Sequence, residues 1–173
     1  MPIAKAFLVC LLIYSASAAL AEGPGLGQEL SLNEIPSYAR HALPDGTGLP
    51  PGSGNVAAGA QVYADYCAVC HGATGVEGPI MPPVAPNELW PKAAGRYWPH
   101  ATTLFAYVKR AMPFNAPKSL SDDEVYSVVS FLLHRNGLLA EDMVLDARSL
   151  AAIEMPNRDN FIDVWERQGE KPW

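Results

Sequence analysis

Cys67-Ala68-Val69-Cys70-His71 decides how this chain is read. The two thiols stand three residues apart, so one turn of helix presents both on the same side. A Cys-x-x-Cys-His run is the attachment signal for a c-type haem. Each thiol closes a thioether onto a vinyl group, and the histidine that follows places an imidazole nitrogen on the iron. The motif therefore marks Cys67 and Cys70 as covalent anchors of one haem c, and His71 as the proximal iron ligand. It points to electron handling rather than to a catalytic side chain of the chain's own.

The surroundings of the motif agree with that chemistry. With 173 residues the chain is long enough for one domain with a substantial core. Residues 1–21 read as a secretory signal peptide. Lys5 is its only charged side chain, Phe7 to Ile13 form a short apolar run, and cleavage is expected near Ala21, with an earlier site after Ala18. That run is too short to span a bilayer, so no membrane span is expected once the signal is removed. Cys10 falls inside the leader, which leaves Cys67 and Cys70 as the cysteines of an exported, periplasmic protein. An exported protein ordinarily pairs its cysteines in disulfides; the histidine after Cys70 favours haem instead. The formal charge of −6 disfavours nucleic acid and anionic membranes, and suits a partner with a basic docking patch.

Along the chain, residues 22–54 form an extended Gly/Pro-rich lead-in, with a possible helical turn around Ser31–Arg40. Residues 55–137 form the haem-carrying domain, and residues 138–173 a C-terminal wrapping tail that bears Phe161, Trp165 and Trp173. A first helix is predicted from about Val56 to His71, with Asn55 as its N-cap. Gly59 within it costs about 1 kcal/mol relative to alanine, which a close helix crossing would explain. A second helix is predicted from Thr102 or Thr103 to Ala111, ending before Pro113. The third is the clearest: Ser121-Asp122-Asp123-Glu124 forms a capping box, and Val125, Val128, Val129, Leu132 and Leu133 form an apolar stripe. Asn136-Gly137 ends it. No strand pattern is evident, so the fold class is all-α.

The iron needs a sixth ligand or an open position. Met112, between the second and third helices and followed by Pro113, is the candidate. Its soft thioether favours Fe(II) and raises the reduction potential. Met81, Met143 and Met155 compete, as do His41, His100 and His134. The free Nδ1–H of His71 needs an acceptor, and the Pro79 carbonyl is expected to supply it. Arg96, Tyr97 and Trp98, with Lys92, are the expected contacts for the haem propionates.

Several segments resemble class I cytochrome c, and within it the cytochrome subunits of bacterial sulfite and sulfane dehydrogenases. They are Pro44-Asp45-Gly46-Thr47-Gly48-Leu49-Pro50-Pro51-Gly52, then Tyr97-Trp98-Pro99-His100-Ala101-Thr102-Thr103-Leu104-Phe105, Arg110-Ala111-Met112-Pro113-Phe114, Ser119 to Tyr126, and Met155-Pro156-Asn157-Arg158-Asp159. The resemblance covers roughly residues 44–161. It implies N- and C-terminal helices crossing over one covalent haem, with Gly59 meeting Phe131, and Cys67, Cys70, His71 and Met112 as haem residues. It also implies pairing with a molybdopterin-containing dehydrogenase subunit, which performs the sulfur chemistry. The cytochrome would accept single electrons and pass them to another cytochrome c, without being an enzyme by itself. The alternatives are a free electron shuttle to a terminal oxidase, a haem-based ligand sensor, and a thiol–disulfide module, which would require a βαβ context.

Overall fold

Asn55 starts the helical fold: its side chain accepts from the Ala58 N–H at 2.9 Å and caps helix α1 (Val56–Tyr66). The predicted first helix is divided at Cys67, which sits at φ −114°, ψ −37° between α1 and the single turn α2 (Ala68–His71). Then follow α3 (Ala94–Tyr97), α4 (Ala101–Ala111) and α5 (Asp122–Arg135). The chain closes with α6 (Ala147–Ala151) and a 3-10 turn at Arg158–Asn160. This computed structural model describes residues 27–34, 41–86 and 93–161. The expected leader (1–21), Lys92, Trp165, Trp173 and the second half of the Ser31–Arg40 turn lie outside the described residues.

The chain divides into the units Met1–Tyr38 and Ala39–Trp173. In the first, the described part holds a turn in which the Glu34 N–H donates to the Ser31 carbonyl at 2.9 Å. The Glu34 carboxylate in return accepts from the Ser31 hydroxyl at 2.7 Å. Everything that follows belongs to the second unit.

The predicted capping box on α5 is present: Ser121 Oγ accepts from the Glu124 N–H at 3.2 Å, and the Glu124 carboxylate accepts from the Ser121 N–H at 2.7 Å. At its other end Gly137, at φ +76°, lets the Leu138 N–H reach the Leu133 carbonyl and its own N–H reach that of His134. Two otherwise orphaned carbonyls are satisfied this way. Between these ends α5 buries Val125, Tyr126, Val128, Val129, Leu132 and Leu133. Helix α4 packs on it through Phe105 and Tyr126, ring centroids 4.5 Å apart. Helix α1 packs on it through Tyr63 and Phe131, 5.0 Å apart.

The α1–α5 approach depends on Gly59. A Cβ there would stand 1.9 Å from the Ser127 carbonyl oxygen and 2.9 Å from Phe131 Cβ. Gly59 and Phe131 therefore meet as the resemblance implies, and the 1 kcal/mol propensity cost secures backbone-level contact.

Sequence periodicity missed the short helices α3 and α6, the 3-10 turn and a small sheet. Strand β1 (Ser53–Asn55) pairs antiparallel with β2 (Val144–Asp146), with Gly54 opposite Leu145. Three residues are too few for an alternating pattern to register, yet Gly54 and Leu145 are both buried. The sheet lies over α5: Ser130 Oγ donates to the Gly54 carbonyl at 3.2 Å, and Tyr126 Oη donates to the Pro50 carbonyl at 2.9 Å. The lead-in and the tail are thus joined to each other and to the central helix. The architecture remains helical, with this small sheet added.

Gly59→Ala forces a methyl against backbone, which cannot rotate away. We expect it to lower stability by about 1–3 kcal/mol, as overpacking typically does. Denaturant unfolding measures this; an unchanged midpoint would refute the tight crossing.

Candidate functional site

The cysteine–histidine turn is hydrogen-bonded directly onto the end of α1. The Cys67 N–H donates to the Tyr63 carbonyl at 2.9 Å, and those of Cys70 and His71 return to the Cys67 carbonyl at 3.1 and 3.0 Å. Cys67 is half-buried and packs against the core, whereas Cys70 is exposed. Gly72, at φ +82°, ends the turn. Burial raises the Cys67 thiol to about 11, with the neighbouring Cys70 adding to the effect. A disulfide-exchange cysteine needs the opposite, a depressed pKa that supplies thiolate. Cys67 is therefore poorly suited to serve as the attacking thiolate.

The loop after the motif folds back over it. Ile80 N–H donates to the Cys70 carbonyl at 3.3 Å. Gly78 lies so close that a Cβ would stand 2.4 Å from that same oxygen and 2.5 Å from His71 Cα. His71 Nδ1 is 3.1 Å from the Met81 carbonyl. A carbonyl can only accept, so the proton sits on Nδ1 and the free lone pair on Nε2. Here the sequence expectation is corrected: the acceptor is Met81, two residues beyond Pro79. Pro79 itself is exposed, and the chain must turn past it before a carbonyl comes back to the ring.

This loop is braced along its length. Tyr63 Oη donates to the Gly72 carbonyl at 2.9 Å, and the Val84 N–H donates to the Gly75 carbonyl at 3.1 Å. Burial pushes the Tyr63 phenol well above its ordinary range, so it stays a donor. The Glu77 carboxylate accepts from the Thr74 hydroxyl, from the Thr74 N–H at 3.0 Å and from the Val76 N–H at 3.2 Å. These bonds, the Thr74 hydroxyl first, hold Glu77 down to about 2. Neither Tyr63 nor Glu77 is singled out by sequence; Thr74 and Glu77, three residues apart in a Gly-rich stretch, are the signal available.

Met112 stands on a different element. It caps the C-terminus of α4, its N–H donating to the Val108 carbonyl at 3.0 Å, and its half-buried side chain packs against the core. The other methionines have different surroundings. Met155 is 3% exposed within the core, whereas Met81 is 64% exposed and Met143 44% exposed. His134 Nδ1 lies 2.9 Å from the Leu139 carbonyl, and His100 precedes α4 as its N-cap residue. Arg96 and Trp98 are half-buried and Tyr97 exposed, at and just after α3. Two aromatics outside the sequence expectation join them. Tyr97 meets Phe161 at 5.9 Å and Trp98 at 5.4 Å, and Trp98 meets Tyr107 at 5.9 Å. Asn157 Nδ2 donates to the Tyr97 carbonyl at 2.8 Å, so the tail is tied to this cluster.

As donors, these residues fit a covalently attached haem. Two thiols share a turn, an imidazole has its Nδ1 committed and its Nε2 lone pair available, and a soft thioether ends the next long helix.

Comparison with known proteins agrees. The family described as "Cytochrome C oxidase, cbb3-type, subunit III" matches residues 54–132. The chain is 32% identical over 118 residues to a thiosulfate dehydrogenase of Stutzerimonas stutzeri, covering 65% of this chain and 35% of that one. It is 28% identical over 120 residues to the thiosulfate dehydrogenase of Allochromatium vinosum, covering 66% of this chain and 40% of that one. The chain thus spans well under half the length of these curated relatives. Among solved structures, the sulfane dehydrogenase SoxCD from Paracoccus pantotrophus matches with a TM-score of 0.72 and 36% identity, over 87% of this chain and 80% of that chain. Among the described residues no helix is long and apolar enough to cross a membrane.

The Glu77 brace carries a pH signature. Its folded pKa lies below the ordinary 4.5, so its contribution is fully present above that value and is lost as pH falls toward about 2. The stability gap between the parent and Glu77→Gln should therefore shrink across that interval. Denaturant unfolding at stepped pH measures it, and a gap independent of pH would show that the carboxylate is not held by the loop.

Proposed function

The chain belongs to the cytochrome c family, and from that premise we propose that it is the electron-accepting subunit of a periplasmic sulfur-compound dehydrogenase. It carries covalently bound haem c and is an electron carrier related to the cytochromes of sulfur-compound dehydrogenases. The observation that carries the finer reading is the likeness to the sulfane dehydrogenase over 87% of the chain, lead-in and tail segments included. In this reading Cys67 and Cys70 hold the haem as thioethers, while His71 and Met112 are the axial ligands of its iron. Residues 55–137 are the haem-carrying unit, 22–54 the lead-in and 138–173 the tail. A leader over residues 1–21, cleaved near Ala21, delivers the chain to the periplasm.

Bound haem supplies a one-electron Fe(III)/Fe(II) couple. The protein's own residues supply everything else. Cys67 and Cys70 fix the group to α2, with Cys70 at the surface where a partner can approach. His71, oriented by the Met81 carbonyl, presents Nε2 as an electron-rich donor. Met112 provides a thioether that favours the reduced state. Arg96, Tyr97 and Trp98 are assigned to the propionate side. His71 and Met112 would together hold the iron, leaving no protein group of this chain to bind a sulfur substrate there, and sulfur oxidation is assigned to a molybdopterin-containing partner subunit. This chain passes the electrons one at a time to another cytochrome c and is not an enzyme by itself.

A second reading has its own support: three relatives are named thiosulfate dehydrogenase, which makes thiosulfate the competing electron source. Stopped-flow reduction of the ferric cytochrome separates the two. With the molybdenum subunit present, reduction should follow addition of sulfite or a sulfane-bearing carrier. Rapid reduction by thiosulfate without that subunit would favour the second reading, and no reduction by any of these donors would overturn both. Met112→Ala should abolish the sulfur-to-iron charge-transfer band of the ferric protein. An unchanged band would transfer the sixth position to another methionine.

A further inference from the structure

We propose that Asn136 is a positioning residue for His71, acting through the backbone of the loop that follows the haem motif. The inference rests on the reading of His71 as an iron ligand. From sequence, Asn136 only ends α5. In the structure Asn136 is 5% exposed, and its amide joins three separate stretches of chain. Nδ2 donates to the Leu132 carbonyl at 2.7 Å and to the Pro83 carbonyl at 3.1 Å. Oδ1 accepts from the Ala85 N–H at 3.0 Å. The third stretch is α3: the Gly95 N–H reaches the Pro83 carbonyl at 3.4 Å, and a Cβ on Gly95 would stand 2.2 Å from Asn136 Nδ2. Gly95 is a glycine because this amide occupies the space its side chain would need.

A helix cap needs only the bond to Leu132. The bonds to Pro83 and Ala85 hold a backbone segment far away in sequence, with one donor and one acceptor that match an amide and no other side chain of that size. Met81, whose carbonyl accepts from His71, stands just before Pro82 and Pro83. Consecutive prolines have fixed φ, and each restricts the residue before it, so little slack separates Pro83 from the Met81 carbonyl. Fixing Pro83 therefore fixes the acceptor. The strength of the Nδ1–H···O bond in turn sets how strongly Nε2 donates to iron. A looser acceptor makes a poorer donor, which favours the reduced iron.

The test uses the full-length, haem-loaded protein and reads the reduction potential together with the solvent-exchange rate of the His71 Nδ1 proton, followed by NMR in the diamagnetic ferrous form. Asn136→Ala should raise the potential and speed that exchange. Asn136→Asp keeps the shape and the acceptor for Ala85 but sets a carboxylate against two carbonyls. Its His71 Nδ1 proton should exchange faster than the parent's at neutral pH, and the difference should close as acid restores a donor. The control is Ser121→Ala, which removes the cap at the opposite end of the same helix and should lower stability with the potential unchanged. If Asn136→Ala does not fold, the isosteric aspartate and its pH profile carry the test alone. Asn136 variants that match Ser121→Ala in potential and in Nδ1 proton exchange would overturn the proposal and leave the function intact. A parent ferrous spectrum without a haem-shifted His71 ring resonance would overturn both.

Discussion

The contact on which the rest depends is the one between the Gly59 backbone and the Ser127 carbonyl. It sets how closely α1 approaches α5, and α1 carries the cysteine–histidine turn at its end. A larger separation would move Cys67, Cys70 and His71 together away from the loop that closes over them. The same face of α5 also receives Gly54, where a Cβ would stand 2.1 Å from the Ser127 N–H. Two glycines thus bring two pieces of backbone onto one turn of one helix, and Ser127 lies between them. The propensity lost at Gly59 is small beside the packing gained along Tyr63, Phe131 and the apolar face of α5.

The haem motif is short and sits at a surface, so the core alone cannot orient it. Orientation comes from hydrogen bonds along residues 72–86, made by Tyr63, Glu77, Val84 and Asn136. Each bond joins the loop either to itself or to one of the two crossing helices. Buried polar groups are costly unless paired, and where the partners match in number they specify a single arrangement. That is the situation at Asn136, whose two donors and one acceptor are all engaged. The chain's own contribution to redox chemistry is therefore largely geometric: it fixes where one carbonyl meets one imidazole.

Sequence made the helices and the haem motif legible because both have local signatures. The capping box at Ser121, the stop at Asn136-Gly137 and the spacing of Cys67, Cys70 and His71 each lie within a few residues. Gly59 was legible as an anomaly whose cause lies across the fold. What escaped was non-local or carried by backbone. Strands of three residues have no period, and a carbonyl acceptor has no side chain to mark it, so Pro79 and Met81 could not be told apart. Phe161 was visible only as an aromatic in the tail; its place against Tyr97 required the chain to return across the molecule.

The tail and lead-in can be understood from this last point. The helical core holds the start of α3 through Gly95, which lies against Asn136 and donates to the Pro83 carbonyl, but does not reach Tyr97 from the tail side. The tail changes that by pairing Val144–Asp146 with the lead-in, burying Leu145 and Leu150, and then reaching α3 through Asn157 and Phe161. The lead-in is secured to α5 by Tyr126, Ser130 and Asp123, whose carboxylate accepts from the Ser53 N–H at 2.8 Å. The His71 loop is thus tied to α5 through Asn136, and the aromatic segment is tied to it both beside Asn136 and through the sheet and tail. An electron carrier works with the least reorganisation when neither side of its iron moves between oxidation states. In the proposed role, tying the His71 loop and the aromatic segment to α5 would limit that movement.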